Sequence, residues 1–249
     1  MMKKAFIITA RTPSTRLPSK IIKKIYKNKR TIDLLIERAK KVDLPIILAT
    51  TKNSEDDFLC NYVKKKHNIK VFRGNFSKAK RWYDCFTKFN IELGCIIEGD
   101  DPLFNFDFYK KEINKKINYD VLTYSKNMIT GVFFHIFTYN GISKMYKYAL
   151  NNGYKDTEII DPFIKKAKLK KKTIRVNKIF RNKKIRLTLD YPEDYKFMKI
   201  ITKKMGYLSE TAEIIKFLIK NKKISKINYF RENDFSINQS KIIKGWNIR

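Results

Sequence analysis

The 249-residue sequence holds only two histidines, His67 and His135, and three cysteines, Cys60, Cys85 and Cys95, set far apart. So few imidazoles, and no paired thiol spacing, argue against a histidine-dependent triad or a zinc site, since both chemistries need several such groups together. An odd cysteine count in a chain of this size fits reduced thiols in a reducing compartment. Apolar runs are short too. None approaches the roughly 18 residues of a membrane span, and "AFIITA" after Lys3 and Lys4 is interrupted by Arg11 too soon for a signal peptide. A cytoplasmic protein is expected.

Carboxylates are the next scarcity: 24 Asp and Glu against 56 Lys and Arg, a formal net charge of +32. Such a surplus invites nucleic-acid binding, where phosphate neutralisation supplies much of the affinity. The lysines are nonetheless spread along the whole chain beside abundant isoleucine and asparagine, as AT-rich coding also produces. The densest clusters, "KKK" at 64–66 and "KLKKK" at 168–172, flank predicted elements as solvated faces do. Nucleic acid is not the expected partner.

What is present alternates. "KKAFIIT", "LPIILATT", "IKVFRG", "LGCIIEGDD", "DVLTYS" and "GVFFHIFTY" read as strands, and "KTIRVNKI" and "KIRLTLD" continue the series. Between them "TIDLLIERAKKV", "NSEDDFLCNYVKKKHN", "SKAKRWYDCFTKFN", "GISKMYKYALNN", "DTEIIDPFIKKAKL" and "YPEDYKFMKIITKKMG" read as helices. This order predicts an α/β fold with a largely parallel sheet. The simplest division is one domain over 1–206 and a C-terminal helical extension over 207–249, with one helix, "SETAEIIKFLIKNKK", capped by Ser209, and an irregular polar end.

The loop after the first strand, "ARTPSTRLPSK", concentrates unusual chemistry. Arginine is scarce in this chain, yet Arg11 and Arg16 flank the Ser14 and Thr15 hydroxyls, and guanidinium forks suit phosphate oxygens. Pro13 and Pro18 limit the freedom lost on gripping a ligand. In open α/β sheets, ligands bind at strand carboxyl ends, and the first loop is a usual phosphate site. Without glycine it is neither a Walker loop nor a dinucleotide fingerprint. The residues alone leave a phosphate site and a solvated loop both open.

The run A-R-x-x-S-T-R-L-P-x-K, Ala10 to Lys20, resembles the signature of the cytidylyltransferases that activate acidic sugars, most closely the branch of spore coat polysaccharide biosynthesis protein F. The resemblance continues through "IILATT", "VFRGNFSKAKRWYDCF", "IIEGDDPLF" and "RLTLDYPEDYKFM", in order. Ser19 stands where that family usually has glycine, Trp82 replaces a tyrosine, and Ser77 and Lys78 occupy a place where an acidic residue is common. The stretch 127–158 is short and hydrophobic beside the family's acidic substrate segment. The resemblance implies a three-layer nucleotide-diphospho-sugar transferase fold with a mixed, mostly parallel sheet. It further implies CTP as donor, Mg²⁺ as cofactor, a sugar acceptor for surface polysaccharide or glycan, and a homodimer.

Joining a nucleoside triphosphate to an acceptor oxygen is a matter of managing charge at phosphorus. Arg11, Arg16 and Lys20 are the expected catalytic cations. Ala10, Arg11, Ser14, Arg16, Lys20, Thr50, Thr51 and Arg81 are the expected nucleotide-binding residues; for Thr50 and Thr51 a commonplace strand end, and for Arg81 a surface position, are equally open. Asp100, after "CIIEG", is either a turn residue or a metal ligand, and the resemblance implies the latter. Asp190 ends "RLTLD", and its spacing to Glu193 resembles a capping box; cap and second metal ligand are compatible roles. Asp101 is expected to be a turn residue. The run Val132 to Tyr139 is an acceptor wall, a dimer strand or core. Competing readings are a nucleotide-sugar glycosyltransferase, which would want Asp-x-Asp rather than "EGDDP", and a non-catalytic basic module.

Overall fold

The computed structural model describes residues 3–125, 127–155, 157–182 and 184–246. Its first apolar run is β1 (Lys4–Thr9), whose alternate side chains enter two separate cores: Phe6 and Ile8 one, Ala5 and Ile7 the other. A strand covered on both faces needs continuous apolar sequence, and this one has it.

A small hairpin follows, β2 (Lys24–Tyr26) and β3 (Lys29–Arg30), then α1 (Thr31–Ala39), β4 (Ile46–Thr51), α2 (Asp57–His67), β5 (Lys70–Gly74), α3 (Lys78–Phe89) and β6 (Leu93–Glu98). The second half runs α4 (Phe106–Glu112), β7 (Val121–Thr123), β8 (Ile136–Thr138), α5 (Tyr139–Asn151), α6 (Asp161–Lys166), β9 (Lys171–Thr173) and α7 (Pro192–Met205). Helices α8 (Thr211–Lys220), α9 (Lys222–Ser225) and α10 (Arg231–Gly245) end the described chain.

Seven strands form one sheet in the order β5-β4-β1-β6-β8-β7-β9. The β5–β4–β1–β6 block is parallel, so the loops after β1, β4 and β6 emerge on one edge. Strand β8 is antiparallel to both β6 and β7, which makes the sheet mixed. Leu34, Leu35, Phe197, Met198, Ile214 and Ile215 from α1, α7 and α8 cover one face. Trp82, Phe86, Ile142, Met145 and Phe163 from α3, α5 and α6 cover the other, completing three layers. Arg38 ties the residues after α7 to this body, donating to the carbonyls of Phe104, Tyr207 and Ser209 and to the Thr211 hydroxyl.

Four expectations are corrected here. Residues 185–190 are extended but join no strand: the Leu187 and Leu189 amides donate to Thr130 O and Asp100 O, at 2.9 and 2.7 Å. The segment is stitched to loops beside the sheet edge. The strands expected in "GVFFHIFTY" and "KTIRVNKI" shrink to three residues each, β8 and β9. Ser209 is not the cap of α8, whose N-cap is Glu210; the Ser209 hydroxyl donates to Met205 O. The polar end is helical, forming α10. Asp156, the start of one expected helix, lies outside the described residues.

Candidate active site

A cleft of about 760 Å³ opens over the carboxyl ends of β1 and β6. The loop after β1 lines it with Ala10, Arg11, Ser14, Arg16 and Lys20, and the end of β6 and the turn after it contribute Glu98, Gly99, Asp100 and Asp101. The glycine serves packing. A Cβ on Gly99 would sit 2.7 Å from Ala10 Cβ, so its absence lets the loop lie flat on the end of β6. Ser19 turns the chain back toward the cleft with a left-handed φ of 55°, explaining why glycine suits that position.

Lys20 is the hub of the site. Its ammonium donates to Asp100 Oδ2 at 2.9 Å and to Asp190 Oδ1 at 2.7 Å. Burial alone would lower its pKa, but the two carboxylates outweigh burial and raise it. Asp190 also accepts from Arg16 Nη2 at 2.9 Å and from Arg186 Nη2 at 3.2 Å. Burial works to raise the Asp190 pKa, yet Lys20 and Arg16 hold it at about 2. Arg16 Nε is buried without a partner, a donor still available inside the cleft wall.

Asp190 is not the helix cap. The carboxylate of Asp194 accepts the backbone N–H groups of Asp190 and Tyr191, at 2.9 and 3.0 Å, and the N-cap of α7 is Tyr191. The capping box therefore stands one residue later than the spacing suggested, at Tyr191 and Asp194, which leaves the side chain of Asp190 to the cations.

A second ionic group lines the cleft around Glu98. Lys78 Nζ donates to Glu98 Oε1 at 2.7 Å and lies 3.7 Å from Glu158, which also faces Arg11 at 3.5 Å. Burial pushes the Glu98 carboxyl up to about 7 against the pull of Lys78. Burial and the neighbouring Asp100 push Asp101 well above the usual carboxylate range. Arg81, in α3, lines the same cleft; it donates to Asn75 O and Phe76 O at 2.9 and 2.8 Å, and its Nε is buried without a partner.

Thr50 and Thr51 are placed differently. Both are buried, and their hydroxyls donate to Asp56 Oδ2 at 2.9 and 2.5 Å. Asp56 also accepts the Thr12 amide at 2.6 Å, so it fastens the start of the β1 loop to the end of β4. The two threonines sit behind the cleft, outside its lining. Arg73 braces the same corner through Thr51 O and Asn53 O.

The donor set suits a hard divalent cation. Asp100 and Asp190 already converge on one cationic centre, and among the described residues no cluster of three or more metal-ligating side chains exists. Two carboxylates with waters and substrate phosphate oxygens is how Mg²⁺ is commonly held.

Sequence reasoning missed Asp56, Glu98, Arg186 and α10. Asp56 sits in "NSEDD", where acidic residues read as helix-start signals. Glu98 precedes the "GDD" turn and passed as the end of a strand, while Arg186 lies in a run read as an ordinary strand. Each works through a contact distant in sequence.

Residues 5–224 match the family model described as cytidylyltransferase. An uncharacterised protein of Methanocaldococcus jannaschii is 30% identical over 91% of this chain and 95% of its own length. The spore coat polysaccharide biosynthesis protein SpsF of Bacillus subtilis is 27% identical over 87% of this chain and 94% of its own length. Among solved structures, a cytidylyltransferase from Leptospira borgpetersenii superposes with a TM-score of 0.79 at 24% identity, covering 90% of this chain and 97% of that one. With its mixed three-layer fold and its cleft at the strand ends, this chain belongs to the cytidylyltransferase family, and it is a nucleotidyltransferase.

Proposed function

We propose that the cleft transfers the cytidylyl group of CTP to an oxygen of an acidic sugar or sugar phosphate, releasing pyrophosphate, in the making of surface polysaccharide or glycan. The observation that carries this reading is the convergence of Lys20 and Arg16 on Asp190, with Asp100 beside them, directly under the β1 loop. In this reading Arg11, Arg16 and Lys20 grip the triphosphate, and the buried Nε donors of Arg16 and Arg81 find phosphate or nucleotide oxygens. Asp100 and Asp190 would hold Mg²⁺, which supplies charge neutralisation at the phosphate oxygens. The acceptor oxygen attacks the α-phosphorus in line, the bond from that phosphorus to the bridging oxygen breaks, and pyrophosphate leaves. The acceptor's proton passes to solvent water, and Glu98, held by Lys78 at 2.7 Å, lines the same cleft.

The same reading takes residues 1–206 as the catalytic unit, 207–249 as an extension packed on it, and a cytoplasmic homodimer as the working form. The test is pyrophosphate release with each nucleoside triphosphate in turn, Mg²⁺, and a panel of neutral sugars, acidic sugars and sugar phosphates. Release with CTP and an acidic sugar or sugar phosphate is expected. A protein that releases pyrophosphate with no member of the panel, or that prefers another nucleotide, contradicts the reading.

A further inference from the structure

Helix α10 crosses the cleft. Its half-buried positions include Glu232, Phe235, Gln239, Ile242 and Ile243, the spacing of a helix with one covered face, yet none of its residues is fully buried. What that stripe covers is the cleft, since the same residues line it. Ile237 and Lys241 are exposed and lie outside the lining.

Both ends of the helix are anchored, on opposite rims. At its start Arg231 donates to the Glu193 carboxylate of α7 at 2.8 and 3.0 Å, and Glu232 accepts from Arg186 at 2.7 Å and from the Thr130 hydroxyl at 2.6 Å. At its end the Trp246 ring packs on Phe163 of α6, 5.7 Å between centroids. Helix α7 belongs to one face of the sheet and α6 to the other, so α10 straps the cleft from rim to rim.

The chemistry of the stripe tells which half of the cleft it closes. It offers the Gln239 amide and the Ser236 hydroxyl beside the Phe235 ring and Ile242, and it turns no lysine or arginine inward. A triphosphate needs cations, and those sit on the β1 loop. Neutral hydrogen-bonding groups next to an aromatic ring suit a polyhydroxylated ring with one C–H face. The helix also lies beyond the part of the chain that matches the family model, which ends at residue 224. We propose that α10 is the acceptor-side wall of the active site and selects the acceptor through Phe235, Ser236 and Gln239, the Glu232 carboxylate at its start being taken up by Arg186 and Thr130. This rests on the cytidylyltransfer reading above.

Two measurements test it. The first follows amide hydrogen exchange with and without Mg²⁺ and CTP, no acceptor present. Slower exchange in residues 10–20 with no change in 231–245 is expected; slowing in both places would put α10 on the nucleotide and overturn the assignment. No slowing anywhere contradicts nucleotide binding itself, and the assignment falls with it. The second compares Gln239→Ala and Phe235→Ala with the outward-facing Lys241→Ala, using CTP and the best acceptor of the panel. About a tenfold rise in acceptor KM is expected for the first two, with CTP KM within about twofold and Lys241→Ala like wild type. An unchanged acceptor KM in both, or an equal loss of CTP affinity, overturns the proposal.

Discussion

Lys20 and Asp190 lie 170 residues apart in the sequence and 2.7 Å apart in the fold. Lys20 enters the site from the loop after β1, and Asp190 from the segment hydrogen-bonded to Asp100 O through Leu189. One ammonium thus binds together the two ends of the family's motif set.

Removing that ammonium tests the loop's role. Lys20→Ala should weaken CTP binding by at least about 1.5 kcal/mol, roughly tenfold, as for a lost charge-assisted contact. Calorimetry with CTP and Mg²⁺ is the check, and an unchanged affinity would take the loop out of the nucleotide site.

Asp190→Asn should cost both turnover and stability. The buried carboxylate faces Lys20, Arg16 and Arg186, and breaking such a set costs roughly 3 kcal/mol. Because the folded pKa is depressed to about 2 from the ordinary 3.8, the stability it contributes is present above that ordinary value and lost as pH falls through about 2. Urea midpoints measured from neutral to strongly acidic pH should therefore fall less steeply for Asp190→Asn than for wild type. Parallel profiles would remove Asp190 from the cation cluster.

Asp56 lies outside the cleft lining, yet its loss should be felt there. Asp56→Ala leaves the Thr50 and Thr51 hydroxyls and the Thr12 amide without their buried acceptor, at a cost of about 1–3 kcal/mol. Thermal melting should show the loss, and CTP affinity should fall with the freed loop. Wild-type melting and affinity together would refute the fastening role.

Ser19→Gly should stabilise the protein. A non-glycine residue at φ 55° carries a left-handed penalty of about 1 kcal/mol, partly offset by the extra freedom of glycine when unfolded. A gain of roughly 0.5 kcal/mol in denaturant unfolding is expected; a loss would mean that the serine side chain stabilises the turn.

Much of this was legible in the sequence where the signal is local. The strands of the parallel block are short apolar runs followed by loops of distinctive composition, so β1, β4, β5 and β6 and the cations at Arg11, Arg16 and Lys20 stood out. The illegible parts depend on distant partners. Residues 185–190 alternate like a strand but pair with loop carbonyls at Thr130 and Asp100. Helix α10 faces a polar cleft instead of a core, so its stripe is built from Glu232, Gln239 and two isoleucines and carries little hydrophobic contrast. Asp190 looked like a cap because Glu193 follows three residues on, whereas Asp194, held by Arg186 and Asn228, takes that work.

The most direct test of the central claim is Mg²⁺-dependent pyrophosphate release from CTP with the preferred acceptor, compared between wild type and Asp100→Asn. The substitution keeps the side chain's shape and removes the anionic ligand, so the fold should persist while the rate falls by about a hundredfold or more. A correctly folded Asp100→Asn protein that releases pyrophosphate at the wild-type rate would contradict the account.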